Sequence, residues 1–245
     1  MDYIRPTREA AFEPTGFPGY TIQMLAYPES ATFINSRVES GGHAADLHVH
    51  ETDQLYYVVE GEMQVELGDD RYTAGADTLV HIPAGLPHRN WNEGPETEFH
   101  FEIIVPSARP GKALLRLVDS ASSAPHQSPG YIAAAAAVSG AAMTLQTLTR
   151  ESVGSVRPVV SVCDEAAHST GSDVHTHEFD QFYYILRGEL GVQVAGAEHE
   201  VSERTLVILP AGIPHRSWNP GESDCRYLVV NLPRPPAGSD DRRHA

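Results

Sequence analysis

One stretch of this sequence occurs twice, and the repetition limits what the chain can fold into. Residues 48–61 read HVHETDQLYYVVEG and residues 175–188 read HTHEFDQFYYILRG. The same interval of 127 residues separates Gln54 from Gln181 and Gly61 from Gly188 within these stretches, and His88 from His215 beyond them. The longer block 47–106 aligns with 174–233 without a gap, and this period is far too long for a solenoid repeat. The chain is therefore predicted to contain two copies of one domain, like a homodimer fused into one chain.

Each copy has the composition of a small β-domain. Short runs rich in Val, Ile, Tyr and Phe alternate with turns that contain Gly or Pro, and strands at this spacing are typical of a β-sandwich or β-barrel. We predict an all-β chain with an N-terminal domain at 1–107, a linker at 108–142 and a C-terminal domain at 143–233. The Ala-rich stretch 131–142 could form a short helix, and the tail 234–245, with its prolines and charges, is predicted to be disordered.

Charge and composition exclude several classes of partner. The chain has 33 acidic and 17 basic residues, a formal net charge of −16, and such a surface repels the phosphate backbone of nucleic acids. Charges and prolines interrupt the N-terminal residues where a signal peptide needs an apolar run, and no stretch is long and apolar enough for a membrane span. Two cysteines do not make a disulfide framework. The composition predicts a cytoplasmic monomer or homodimer that binds neither nucleic acid nor membrane.

Three histidines and a glutamine recur in each copy with a spacing that suits a metal site. Residues two apart in a strand point to the same face, so His48 and His50 share a face, and the PAGLPH turn brings His88 back on a later strand. The predicted metal ligands are His48, His50, Gln54 and His88 in the first copy and His175, His177, Gln181 and His215 in the second. One His-x-His pair alone would more often be strand histidines in ordinary hydrogen bonds, but the whole set occurring twice favours a metal site.

Nitrogen ligands favour a transition metal. Three imidazoles suit Fe, Zn, Cu, Ni, Co or Mn better than Mg or Ca, which prefer oxygen, and three protein ligands with open positions are typical of catalytic sites. We predict one divalent transition metal ion per domain, with Fe(II) as the first choice. The glutamines could ligate the metal directly or hydrogen-bond to its ligands.

Two kinds of neighbouring side chain are candidates for further roles. Tyr56 and Tyr183 share a strand face with the glutamines, and each is a candidate catalytic residue, as a proton donor or an orienting hydrogen-bond donor. The alternative is that these rings fill the barrel. His100 and Glu102 share a face in the first copy only. They could be catalytic, but we favour a solvated outer face for them.

Both halves resemble the cupin superfamily. Its first motif, GxxxxxHxH with a spaced Glu and Gly, falls on Gly42, His48, His50, Gln54 and Gly61, and on His175, His177, Gln181 and Gly188. Its second motif, Gly with a spaced PxGxxHxxxN, falls on Pro83, Gly85, His88 and Asn92, and on Pro210, Gly212, His215 and Asn219. The resemblance implies one jelly-roll barrel in each half, hence a bicupin, with a metal inside each barrel.

The sequence departs from the cupin motifs at a few positions. Gln replaces the Glu of the first motif in both halves, Ser169 replaces its Gly in the second half, and Asp77 and Glu203 stand in place of the Gly of the second motif. Oxalate decarboxylases and oxidases of this family use the Glu, so the resemblance makes oxalate chemistry less expected. A bicupin of the bacilysin pathway, a prephenate-processing isomerase, is similar in having a three-His-plus-Gln set, and cupin-type dioxygenases are a further point of similarity.

Three functions remain open at this point. A neutral Gln leaves a divalent ion near its full charge, which should attract a small anionic chelating substrate such as an enolate, carboxylate or catecholate. The first hypothesis is a non-haem Fe(II) oxygenase or dioxygenase that uses O2 and such a substrate. The second is a metal-dependent isomerase that stabilises an enolate without oxygen chemistry. The third is a non-enzymatic protein that binds a small molecule.

Overall fold

The computed structural model describes residues 2–107, 114–119, 132–136, 143–149 and 158–233, together with the backbone of 242–243. These residues form β-strands joined by turns, with one 3-10 turn at Glu9–Ala11, which confirms the predicted all-β class. No helix among them is long and apolar enough to cross a membrane.

The strands are numbered in chain order. Before the predicted linker they are β1 (Ile4–Pro6), β2 (Glu13–Pro14), β3 (Tyr20–Ala26), β4 (Thr32–Val38), β5 (His48–Val49), β6 (Asp53–Glu60), β7 (Glu62–Leu67), β8 (Asp70–Gly75), β9 (Thr78–Ile82), β10 (His88–Trp91) and β11 (Glu98–Val105). From the linker onwards they are β12 (Arg116–Leu117), β13 (Ile132–Ala134), β14 (Met143–Thr147), β15 (Val159–Glu165), β16 (His175–Thr176), β17 (Asp180–Arg187), β18 (Glu189–Val194), β19 (Ala197–Ser202), β20 (Thr205–Leu209), β21 (His215–Trp218), β22 (Cys225–Leu232) and β23 (Arg242–Arg243).

The described residues form two compact units, called here the first and the second barrel. The first barrel is built from those within Thr7–Ala135 and Thr149–Val156, and the second from those within Met1–Pro6, Ala136–Leu148 and Arg157–Ala245. This duplication of an all-β unit confirms the two tandem domains expected from the repeat.

The first barrel consists of two antiparallel sheets with an apolar core between them. The larger sheet has the strand order β13-β9-β6-β11-β4-β3-β2, and the smaller has the order β12-β5-β10-β7-β8. Alternation along the strands turns every second side chain inward, so Tyr56, Val65 and Val80 from both sheets join one buried cluster. Burial of these apolar faces is the main term that holds the two sheets together.

The second barrel repeats this arrangement. Its sheets have the strand orders β1-β20-β17-β22-β15-β14 and β19-β18-β21-β16-β23, and Tyr183, Val192 and Val207 belong to the cluster between them. Cys163 and Cys225 are buried here as free thiols, and burial raises the pKa of each to about 12. Both thiols therefore stay protonated near neutral pH and are poor nucleophiles.

Two short strands belong to a barrel that the predicted boundaries do not give them. Ile4–Pro6 lies within the predicted N-terminal domain but pairs with β20 of the second barrel. Ile132–Ala134 lies within the predicted linker but pairs with β9 of the first barrel. Each segment satisfies backbone groups that the edge of a sheet would otherwise leave unpaired, and residue composition alone does not reveal such a pairing.

Strand pairing also changes two predictions of local structure. The Ala-rich stretch, expected as a short helix, contains a strand at Ile132–Ala134, while its residues 137–142 lie outside the described part of the chain. Within the tail expected to be disordered, the backbone of Arg242–Arg243 pairs with β16. Ladder hydrogen bonds to a neighbouring strand outweigh the high helix propensity of alanine in the first case, since tertiary context overrides local propensity.

Candidate metal centres

The three predicted histidines of the first barrel come together inside it. His48 on β5 and His88 on β10 lie directly opposite each other in the ladder of the smaller sheet, and His50 follows just after β5. The candidate ligand atoms of these three side chains all lie within 4.8 Å of one another. Gln54 reaches the same place from β6 of the larger sheet, where its Oε1 lies 2.9 Å from Nε2 of His88.

Hydrogen bonds to the main chain determine which nitrogen of each imidazole faces the centre. The Nδ1 atom lies 2.8 Å from the carbonyl oxygen of Asp46 in His48 and 2.8 Å from that of Leu86 in His88. The Nδ1 atom of His50 lies 2.6 Å from the carbonyl oxygen of Leu114. A carbonyl can only accept, so each Nδ1 holds the proton and each Nε2 presents a lone pair.

The centre therefore collects atoms that cannot hydrogen-bond to one another. Nε2 of His48 lies 3.1 Å from Nε2 of His50, and Nε2 of His88 faces the Oε1 atom of Gln54. All four are acceptors, because the amide nitrogen of Gln54 is directed away, as a donor to Glu102. Four lone pairs at this separation repel unless a cation lies between them.

A proton is a poor candidate for that cation. Burial, together with the neighbouring His50, lowers the pKa of His48 to about 4, and burial lowers the pKa of His88 well below its usual value. Both imidazoles are neutral at pH 7, as metal ligands must be. The donor set of three nitrogens and one amide oxygen fits a divalent transition metal ion.

The second barrel contains the same arrangement. His175 on β16 lies opposite His215 on β21, and the candidate ligand atoms of these two and of His177 lie within 4.8 Å of one another. The Nδ1 atoms of His175 and His215 are again held by main-chain carbonyl groups at 2.8 Å. Among the described residues the buried Oε1 atom of Gln181 has no hydrogen-bond partner, and an ion at the centre would satisfy it. Each barrel thus has a site for one divalent metal ion.

The Pro-x-Gly turn of the second motif is anchored to the metal-site histidines. In the first barrel the backbone N–H of Gly85 donates to the carbonyl oxygen of His50, at 2.9 Å. The N–H of Ala84 donates to the buried carboxylate of Asp53, at 2.8 Å. Asp180 does the same for Ala211 in the second barrel. These aspartates were not among the predicted functional residues, although their repetition immediately before each Gln was the available signal.

The last motif residue has a structural role. Asn92 is buried, its Nδ2 donates to the carbonyl oxygens of Val38 and Glu96, and its Oδ1 accepts from the N–H of Gly94. Asn219 makes the same three bonds in the second barrel. These amides hold the loop that ends β10 and β21 and so fix the strands that carry His88 and His215.

One correction concerns the turn before β9 and β20. The sequence alignment assigned Asp77 and Glu203 to the place of the motif Gly. The residues with a left-handed backbone are Asp77, with φ of 63°, and Arg204, with φ of 59°. Their N–H groups make equivalent bonds, to Val58 and Ile185. The position in the second barrel is therefore Arg204, and the expectation of Glu203 was wrong by one residue.

The predicted solvated face of His100 and Glu102 was also wrong. His100 is 0% and Glu102 6% exposed, because β11 is a central strand with β6 and β4 on either side. Glu102 lies across from Tyr56 in the ladder, and Tyr56 had been placed on the inner face. Residues directly opposite each other in a ladder point to the same face, so Glu102 lies inside the barrel with Tyr56.

A buried chain of hydrogen bonds extends this polar interior. The Nδ1 atom of His100 lies 3.0 Å from both carboxylate oxygens of Glu98, and its Nε2 atom lies 3.1 Å from the hydroxyl of Tyr20. Asn90 is also buried, and its side chain interacts with that of Tyr20. Glu98 and Tyr20 were not among the residues predicted to lie in the interior.

Both candidate tyrosines lie inside their barrels. Tyr56 is buried, and its ring centroid lies 4.8 Å from that of His100. Tyr183 is buried with its ring centroid 5.2 Å from that of Tyr227. Burial, reinforced by the charge of Glu102, raises the pKa of Tyr56 well above its usual value. The Tyr56 hydroxyl is therefore suited to donate a hydrogen bond and not to lose its proton outright.

A cavity of about 660 Å³ lies beside His50 of the first barrel. His50 lines it together with Gly85, Leu114, Leu115 and Arg116. A volume of this order is typical of sites for small molecules. The cavity combines apolar side chains with two exposed charged groups, the carboxylate of Glu51 and the guanidinium of Arg116.

Acid should destabilise the metal-free protein. Burial lowers the pKa of His48 from its ordinary value of 6.5 to about 4 in the folded chain, so between these pH values the unfolded chain binds more protons. The contribution of His48 to the free energy of unfolding is fully present above pH 6.5 and decreases by about 3 kcal/mol as the pH falls through 4. Urea denaturation of metal-free protein across this range should show the loss, and the variant His48→Gln should show a flatter profile. An unchanged profile in the variant would contradict this assignment.

Comparison with known proteins is consistent with the geometry. Residues 36–105 and 162–231 each match the family model described as the cupin domain. Over 116 residues the chain is 28% identical to the polyketide synthase CurC of Streptomyces cyaneus, covering 43% of this chain and 75% of that protein.

Solved structures show the same fold at low sequence identity. The oxalate decarboxylase OxdC of Bacillus subtilis, in a mutant form, aligns with a TM-score of 0.71 at 14% identity, over 96% of this chain and 78% of that one. The protein Ylba from E. coli aligns with a TM-score of 0.66 at 14% identity, over 91% and 87%. Because the cupin model matches both halves and more than half of the residues, this chain belongs to the cupin family and contains two cupin domains in tandem.

Proposed function

We propose that the chain is a metal-dependent enzyme, a non-haem Fe(II) oxygenase that acts on a small anionic metabolite able to chelate the metal. The observation that supports this most is the set of four neutral acceptor atoms in each barrel, from three histidines and one glutamine. No ligand in this set cancels the charge of a divalent ion. The proposed ligands are His48, His50, Gln54 and His88 in the first barrel and His175, His177, Gln181 and His215 in the second.

The first barrel is the proposed site of reaction. Its cavity lies against His50 and has Arg116 at its margin, and a guanidinium group recognises a carboxylate or a similar planar anion. Leu114 and Leu115 suit a short apolar body attached to that anion. Tyr56, on the same strand face as Gln54, would donate a hydrogen bond to a substrate oxygen. A bound divalent ion would supply the positive charge that stabilises an enolate or catecholate and, as Fe(II), the electron needed to activate O2.

One observation favours a second candidate, a metal-dependent isomerase of an enolisable carboxylate. The Glu98–His100–Tyr20 chain lies inside the first barrel, and groups of this kind move protons in isomerisation. The curated relative CurC is named a polyketide synthase. From that name we take only that polycarbonyl compounds belong among the substrates to be tested.

Oxygen consumption tests the proposal. Protein loaded anaerobically with Fe(II) is mixed with a panel of small carboxylates, catechols and β-diketones in an oxygen electrode. We expect uptake that depends on one class of substrate and disappears with a chelator. Turnover under strict anaerobiosis, with Co(II) or Zn(II) equally active, would replace the oxygenase by the isomerase. A metal content near zero after native purification would contradict both and leave a binding protein.

A further inference from the structure

The two barrels hold their glutamines with chemically different partners. Nε2 of Gln54 donates to the Oε1 atom of Glu102 at 2.5 Å, and both side chains are buried. Nε2 of Gln181 donates instead to the Oδ1 atom of Asn231, at 3.0 Å. Each partner turns the amide so that its oxygen faces the three histidines. One partner is a carboxylate and the other is a neutral amide.

The two partner residues do not occupy equivalent positions in the two copies. Asn231 lies directly opposite Gln181 in the β17–β22 ladder. The residue opposite Gln54 in the β6–β11 ladder is Ile104, and Glu102 reaches Gln54 from a position two residues earlier on β11. The repeat places Val229 where the first barrel has Glu102. Each copy has therefore acquired its own means of orienting the amide, and only one of them brings a negative charge.

We propose that Glu102 is a positioning residue that orients Gln54 and lowers the net charge around the first metal site, so that the two sites differ in their affinity for metal ions and for anions. A hydrogen bond to a carboxylate polarises the amide and makes its oxygen a stronger ligand. The carboxylate charge also lies one side chain away from the ion in a buried, poorly screened environment. The first site should therefore bind a divalent ion more tightly, and the second should attract added anions more strongly. This inference rests on the metal sites of the proposed function.

A reciprocal exchange of charge tests this difference. Each site is isolated by removing one histidine of the other: His177→Ala leaves the first site and His50→Ala leaves the second. In the first background Glu102→Gln removes the charge but keeps an acceptor for the amide of Gln54. In the second, Asn231→Asp introduces a charge. The readouts are the dissociation constant for Mn(II), the Mn(II) electron paramagnetic resonance spectrum, and azide binding followed by Co(II) absorption.

The exchange should change the Mn(II) and azide affinities of the two sites in opposite directions. Glu102→Gln should weaken Mn(II) binding at the first site by about 10- to 100-fold, the usual effect of losing a group that supports a ligand, and should tighten azide binding several-fold. Asn231→Asp should strengthen Mn(II) binding and weaken azide binding at the second site. Circular dichroism and thermal melting check that each variant folds.

The failure of this inference differs from the failure of the proposed function. If both exchanges leave the Mn(II) and azide constants and the spectrum unchanged in folded protein, Glu102 has no electrostatic role, although the metal sites stand. If the unmutated chain binds no Mn(II), Co(II) or Fe(II) at either site, the metal sites themselves are refuted, and the proposed function with them.

Discussion

Replacing His50 by Ala should leave the chain with one bound metal ion in place of two, and replacing His177 by Ala should do the same through the other barrel. Each histidine is one of three imidazoles whose ligand atoms lie within 4.8 Å. Its loss leaves two imidazoles and a weakly bound amide oxygen, too few to hold a transition metal at micromolar concentration. Elemental analysis of protein purified after metal loading measures the result directly.

Activity should separate the two variants where metal content does not. If the first barrel is the site of reaction, His50→Ala abolishes substrate-dependent oxygen uptake and His177→Ala retains most of it. His43→Ala is the matched control, because His43 is exposed and its ring nitrogen contacts the carbonyl oxygen of Ala44 outside the metal centre; it should keep both ions. Loss of both metals in either single variant would show that the sites are not independent.

Replacing Gly171 by Ala should disrupt the second metal site without touching a ligand. Gly171 has φ of +66°, and an added Cβ would lie 1.7 Å from the carbonyl oxygen of Ser217 and 2.7 Å from Cα of Trp218. Both atoms belong to the backbone of β21, which begins at His215, so no side-chain rotation relieves the overlap. The strained backbone and the clash together should cost about 2–5 kcal/mol. Metal affinity of the second barrel should fall, while the first barrel keeps its ion.

The variant Gly196→Ala is a control that measures the cost of a positive φ without a steric clash. Gly196 also has a positive φ, +84°, but an added Cβ there would meet nothing within 4 Å. This variant should cost only about 1–2 kcal/mol and should leave both metals bound. Chemical denaturation with metal analysis compares the two. Equal losses of stability would mean that the loop around Gly171 is free to move away from β21.

The sequence was sufficient for the parts of the site that depend on periodicity. The two-residue period of a strand predicts that the histidines of each His-x-His pair share a face and that Tyr56 lies with Gln54. The Pro-Gly turn predicts the return of His88. Because the set occurs twice, the pattern in one half supports the assignment of the same residues in the other half. Ligation of a metal ion by these residues stays a prediction that elemental analysis decides.

What the sequence could not predict depends on strand neighbours. The parity of Glu102 was visible, but its burial depends on β11 lying between β4 and β6, which is a property of the topology. Asn231 supports Gln181 only because their strands pair in that register. The pairing of Ile4–Pro6 with β20 is a long-range contact with no local sequence signal. Glu102 thus adds a charge next to the ligand Gln54, and the repeated motif of ligand residues does not predict this charge.

The exchange of short strands has a consequence for how this protein can be divided. A fragment ending at residue 107 would lack Ile132–Ala134, which covers β9, and a fragment beginning at residue 143 would lack Ile4–Pro6, which covers β20. Each fragment would expose the bare edge of a sheet, a ready template for association between chains. The two cupin domains are copies of one unit, but a cut at the predicted boundaries deprives each barrel of an edge strand, so truncated versions are expected to associate more readily than the whole chain.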